Sequence, residues 1–154
     1  MKPASGVVKG CLALLLSIAP TGALPFEVVN TQEIAFGAIV SGPLGGTVTV
    51  TPAGSRSCSV SLTCLAQSPA HPARFTVSGD PSMNFVISLP LTATLSDGAG
   101  NTMLIDNFED SLGGTGMFNT LGQASFTVGG TLNVEPGQAA SGYSGSFTVT
   151  VMYQ

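Results

Sequence analysis

Charge is scarce in this sequence, and positive charge is the scarcest. Four Lys or Arg stand against eight Asp or Glu in 154 residues, and beyond Lys9 the basic residues are Arg56 and Arg74 alone. A surface of that sign repels polyphosphate and anionic lipid, which argues against nucleic acid and against a charged membrane face as partners. Histidine is nearly missing as well: His71, in a loop between Pro69 and Pro72, is the single one. Neither a Gly-x-Ser-x-Gly elbow nor paired carboxylates in a periodic context accompanies it. His71 therefore reads as a surface histidine, and the expectation is no enzyme, no catalytic residue and no cofactor. The apolar run at residues 11–19 (CLALLLSIA) is too short to cross a bilayer, so no membrane span is expected.

Acidic side chains do gather in one region. Asp106, Glu109 and Asp110 lie near Asp97 and Asn101, oxygen ligands of the kind that hold Ca²⁺. Their spacing matches no calcium loop, and acid-bearing turns on an acidic surface are the preferred reading, so no metal site is expected. Gly113-Gly114-Thr115-Gly116 is glycine-rich like a phosphate loop but lacks the lysine and the following helix, and reads as a turn.

What the sequence does contain is an export signal and many short strands. Lys2 and Lys9 precede the apolar run, and Thr21-Gly22-Ala23 supplies small residues before a cut at Leu24. Residues 1–23 are thus expected to be a signal peptide, and the protein to be exported to the periplasm, the cell surface or the medium. Residues 24–154 then form one domain with a formal charge of −6 from two arginines and eight acids. Helix signals are nearly absent from it, while glycine- and proline-bounded runs with a period of two recur throughout, which makes the class all-β, a sandwich or barrel. Strand-like runs cover residues 34–40, 47–52, 74–79, 84–90, 103–108, 116–121, 124–128 and 131–134, with a hairpin turn at 97–101.

Residues 58–66 (CSVSLTCLA) also alternate, with Cys58, Val60, Leu62 and Cys64 on one parity. These are the two cysteines left after signal removal, and such a pair in an exported protein usually forms a disulfide. Six residues of straight strand would hold the Cα atoms roughly 20 Å apart, against about 7 Å at most for a bridge. Either the chain bends near residues 59–61 and a bridge between Cys58 and Cys64 forms, or both remain free buried thiols in a straight strand.

The final stretch, residues 142–154 (GYSGSFTVTVMYQ), has Phe147, Val149, Val151 and Tyr153 at every second position, a strand with one buried face. Such a strand needs partners on both edges.

Several segments come in a familiar order: Ile34-Ala35-Phe36-Gly37, Gly46-Thr47-Val48-Thr49-Val50 with Pro52, Phe75-Thr76-Val77-Ser78-Gly79, Ile87-Ser88-Leu89-Pro90, Val128-Gly129-Gly130-Thr131-Leu132 and Gly142 to Val151. Over nearly all of residues 24–154 this resembles a secreted bacterial domain family of unknown function, DUF4402, which is itself similar to spore coat protein U domains and to subunits of chaperone-usher fimbriae. The resemblance implies an immunoglobulin-like, pilin-like antiparallel β-sandwich and a non-enzymatic role as a surface or fimbrial subunit assembled by donor-strand exchange. In fimbrial subunits the last strand pairs first with a periplasmic chaperone, delivered to an outer-membrane usher, and then with the N-terminal extension of another subunit. On that pattern Phe147, Val149, Val151 and Tyr153 form the pairing strand, and Phe26 and Val28 of a neighbouring copy are the candidate donor. The other reading is a self-complete secreted sandwich that binds glycan or protein through its turns, as an adhesin does.

Overall fold

A computed structural model describes the backbone of residues 4–12 and the whole of residues 25–154. The expected junction between Ala23 and Leu24, and residues 13–19 of the apolar run, lie outside the described residues. Thirteen strands follow one another: β1 (Ala4–Leu12), β2 (Glu27–Gln32), β3 (Ile34–Val40), β4 (Gly46–Val50), β5 (Arg56–Cys58), β6 (Thr63–Cys64), β7 (Ala73–Ser78), β8 (Asn84–Ser88), β9 (Ala93–Ser96), β10 (Thr102–Asp110), β11 (Thr115–Met117), β12 (Gln123–Val134) and β13 (Gly142–Tyr153). The class is all-β. Every pairing is antiparallel except that of β1 with β13.

Two long strands organise the sheets. β12 has β10 along one edge, while β7 and then β4 share the other, because Val128 pairs with both Ala73 and Asp110 and Thr131 with both Thr49 and Asp106. β2 extends this group beyond β7, and β5 beyond β4. β13 is flanked on one edge by β9 and then β8, since Ser144 pairs with Ser96 and Val151 with Ile87. Alternation then does the packing: Phe75 and Val77 of β7, Val48 and Val50 of β4, Phe126 and Val128 of β12, and Phe147, Val149 and Val151 of β13 are all buried. Phe75 meets Phe147 across the core at 6.4 Å between ring centroids, and Phe147 lies against Phe108 at 4.8 Å. Two layers joined through such a core are consistent with a β-sandwich.

Three segments depart from the strand pattern, one of them at 116–121, where β11 ends at Met117 and the chain turns, with Gly122 N–H donating to the Asn119 carbonyl at 2.9 Å. Residues 58–66 form no straight strand: β5 ends at Cys58, Leu62 N–H donates to the Ser59 carbonyl at 3.0 Å, and β6 begins at Thr63. The turn throws Val60 into solvent while Leu62 points inward, so their shared parity did not mean a shared face. The bend sets Cys58 and Cys64 at a Cα separation of 6.4 Å, and the structure bridges them. By contrast, the two runs at 124–128 and 131–134 are one strand. Gly129 and Gly130 are not a turn, since a side chain at Gly129 would collide with the Val50 carbonyl oxygen and one at Gly130 would crowd Ile105 and Phe108. Glycine is required there by close approach within the sheet.

Candidate functional site: a slot between β3 and β13

The Ile34-Ala35-Phe36-Gly37 segment builds one wall. Ile34, Phe36 and Ile39 of β3 are buried. One edge of β3 is held by β6 and by His71, which exchanges both backbone hydrogen bonds with Ala35 at 2.9 Å. His71 is thus half-buried in a ladder and not a surface residue, and its Nδ1 is buried with no hydrogen-bond partner among the described residues. Gly37 has φ of +77°, a conformation that suits glycine, and its bare Cα lets the Arg56 guanidinium come close: an added Cβ would sit 2.5 Å from its Nη1. From there Arg56 donates to the carbonyls of Phe36 (3.3 Å), Ser68 (3.4 Å) and Leu65 (2.9 Å), tying the loop after the disulfide to β3.

The other wall is β13. Tyr143, Phe147, Val149 and Val151 face the core, and Ser144, Ser146 and Thr148 face out. Gly145 shares the inward parity, where a side chain would strike the Thr94 carbonyl oxygen and Leu95. The strand is pinned at both ends by tyrosine hydroxyls. Tyr143 Oη donates to the Ala139 carbonyl at 2.9 Å and accepts from Gln138 Nε2 at 2.8 Å. Tyr153 Oη accepts the Asp80 N–H at 2.8 Å, in space that Gly79 leaves open.

Between these walls is the width of one strand. Among residues 25–154 no strand pairs with the edge of β3 opposite β6, or with the edge of β13 opposite β9. Both edges are met instead by β1, which runs parallel to β13 (Ser5 with Gly142 through Leu12 with Val149) and antiparallel to β3 (Ala4 with Ile39, Val8 with Ile34). Strands in a sheet lie about 4.8 Å apart, so the open edges of β3 and β13 are separated by a space that a single extended chain fills.

Phe147, Val149, Val151 and Tyr153 all belong to β13, though Val151 and Tyr153 lie beyond the stretch that β1 pairs, at the end paired with β8. Phe26 and Val28 lie elsewhere. Val28 is buried in β2, paired with Val77 of β7, and the Phe26 ring packs edge-on against Tyr153 at 5.0 Å and Phe118 at 6.0 Å. One residue, Glu33, separates β2 from β3, so this segment is an edge of its own domain and not a free arm. The slot residues that sequence reading passed over are Ile34, Phe36 and Ile39. Their alternation was visible, but their position opposite β13 depends on pairing over more than a hundred residues.

Asp97 and Asp110 serve turns, whereas Asp106 and Glu109 lie within β10 and not in an acid-bearing turn. Asp97 accepts from the Asn101 side-chain amide at 2.6 Å and from the Ala99 N–H at 2.8 Å, which in that order hold its carboxyl below the ordinary carboxylate range. Asp110 accepts from Leu112 and Gly114 N–H. Among the described residues no three His, Cys, Asp or Glu come together as a metal site would need. No helix in them is long and apolar enough to cross a membrane.

No curated protein and no solved structure matches the chain. The sequence model of one family does, over residues 26–153, which is the whole of the sandwich that carries β3 and β13. The chain belongs to that family, described as a domain of unknown function (DUF4402).

Proposed function

We propose that residues 24–154 are an exported, non-enzymatic structural subunit of a surface fibre, completed by a strand that another chain inserts between β3 and β13. The carrying observation is the one-strand space itself, bounded by two edges that nothing else in residues 25–154 pairs. Tyr143 supports the same reading. In immunoglobulin-like sandwiches a tyrosine at the start of strand F bonds back to the backbone a few residues upstream, and strand G then pairs with the open edge of F. Tyr143 makes that bond at the start of β13, so β13 takes the place of F and the slot takes the place of G.

The energetics give the slot its consequence. Ile34, Phe36, Ile39, Phe147 and Val149 lie along it, and each contributes roughly 1.5 to 3 kcal/mol when fully buried. Uncovering even half of that burial removes several kcal/mol from a domain whose whole stability is on the order of 5 to 15 kcal/mol. An unfilled subunit therefore needs a partner to persist, first a periplasmic chaperone and then, at the usher, a related subunit, with backbone pairing supplying affinity and alternate side chains supplying register. Since Phe26 and Val28 are built into their own sheet, the inserted strand is supplied by a partner chain with a segment free to extend.

Size-exclusion chromatography of purified residues 24–154 over a range of concentrations tests this. An unstable or aggregating chain, rescued to a stable monomer by a strand-donating chaperone, is expected. A stable monomer that unfolds cooperatively with no partner would leave the self-complete binding sandwich instead.

A further inference from the structure

Building on the strand-accepting reading above, we infer that the leader segment Ala4–Leu12 is the slot's first occupant, so that the uncut chain is closed and removal of the leader opens it. The register carries this. Paired residues of neighbouring strands share a face, and the β1 positions matched to the inward residues of β13 are Gly6 with Tyr143, Val8 with Gly145, Gly10 with Phe147 and Leu12 with Val149. Glycine stands against each aromatic, and a branched residue stands against glycine and valine. Val8 is also the register partner of fully buried Ile34 of β3, the same parity as on the β13 side.

The opposite parity agrees. Lys9 is matched to exposed Ser146, Val7 to exposed Ser144 and Cys11 to exposed Thr148. A shift of one residue would bring Lys9 to the core parity, where an unpaired charge costs several kcal/mol, so the register discriminates against its nearest alternative. The direction is informative as well. β1 runs parallel to β13, whereas all other pairings in the fold are antiparallel.

The third cysteine allows a direct test. Cys11 is the register partner of Thr148, and directly paired strand positions fall within disulfide reach. In the full chain, residues 1–154, produced where no leader peptidase acts, Thr148→Cys is expected to form an intrachain link on mild oxidation, read as loss of the free Cys11 thiol, while Ser144→Cys is not. A second pair, Lys9→Cys with Ser146→Cys in a Cys11→Ser background, checks the register if the first variant folds poorly. Equal loss of the Cys11 thiol with Ser144→Cys and Thr148→Cys, or no link at either designed pair, would overturn the inference. A labelled peptide of residues 4–12 separates this inference from the reading beneath it. Binding to residues 24–154 but not to the uncut chain supports both. Binding to both forms alike sinks the leader's role and keeps the slot, and a closed monomeric 24–154 that binds no peptide sinks the slot itself.

Discussion

Gly79 and Tyr153 form a pair whose coupling can be measured. Gly79 has ordinary backbone geometry, so alanine is excluded there only by what a methyl group would meet: Tyr153 Oη at 2.5 Å and Phe118 ring carbons at 3.0 and 3.1 Å. The tyrosine cannot simply swing aside, because its ring lies against Phe26 at 5.0 Å and Phe118 at 5.9 Å. Gly79→Ala alone should therefore cost what overpacking costs, about 1 to 3 kcal/mol. Tyr153→Phe alone removes the acceptor of the Asp80 N–H and should cost about 1 kcal/mol. In the double variant the oxygen that the methyl strikes is gone, so the sum overestimates the loss, and a favourable coupling of about 1 kcal/mol is expected, with the remaining Phe118 contacts setting a floor. Urea unfolding of the four proteins gives the cycle, and in a domain of this size each kcal/mol moves the melting temperature by about 4 °C. Strict additivity would refute the steric account of Gly79 and of the penultimate tyrosine.

Val149 is fully buried in β13, so Val149→Asp places an unpaired carboxylate in the core and should abolish cooperative folding, read by loss of the near-ultraviolet circular dichroism signal. Breaking the bridge with Cys58→Ser and Cys64→Ser, six residues apart, should lower stability by about 2 kcal/mol, measured by urea unfolding of the double variant against the oxidised parent. Asp97 has a carboxyl pKa below its ordinary value in the folded chain, so its stabilising contribution to the 97–101 turn is present above the ordinary range and is lost as pH falls through the lowered value. A side-chain carboxyl titration by NMR should place the Asp97 midpoint below those of free aspartates, and Asn101→Ala should raise it. Gly37→Ala should destabilise through both its left-handed φ and the Arg56 guanidinium, and pairing it with Arg56→Ala should recover part of the loss in the same unfolding assay.

What could be seen in the sequence was local. The period of two in residues 147–153 gave β13 its inward face, and the glycine- and proline-bounded runs gave most strands and the all-β class. Tyr153 is penultimate in the sequence, and only the structure shows its hydroxyl accepting the Asp80 N–H beside Gly79. The errors arose where one pattern suits two structures. Alternation at 58–64 is equally compatible with a strand and with a turn that exposes Val60, and a Gly-Gly pair serves equally as a turn or as a crossing point inside a strand. The β13 side of the slot is expected from a final strand that needs partners on both edges, but its β3 side was out of reach for a different reason. The slot's walls are 34–39 and 143–149, and no local pattern records that two segments so far apart leave a gap of one strand. Phe26 and Val28 show the same limit: alternating apolar residues near an expected N-terminus describe a donor arm and an edge strand equally, and only the pairing with β7 distinguishes them.

Without residues 1–23, β3 and β13 are each expected to present an unpaired edge. Amide hydrogen exchange of residues 24–154, held monomeric at low concentration and mild temperature, addresses those edges directly. The amides of residues 34–39 and 143–149 that face the slot are expected to exchange rapidly, while those paired to β6, β8 and β9 stay protected. Addition of the peptide of residues 4–12 should then protect the slot-facing set. Full protection of both edges in the isolated monomer, with no strand added, would contradict the account.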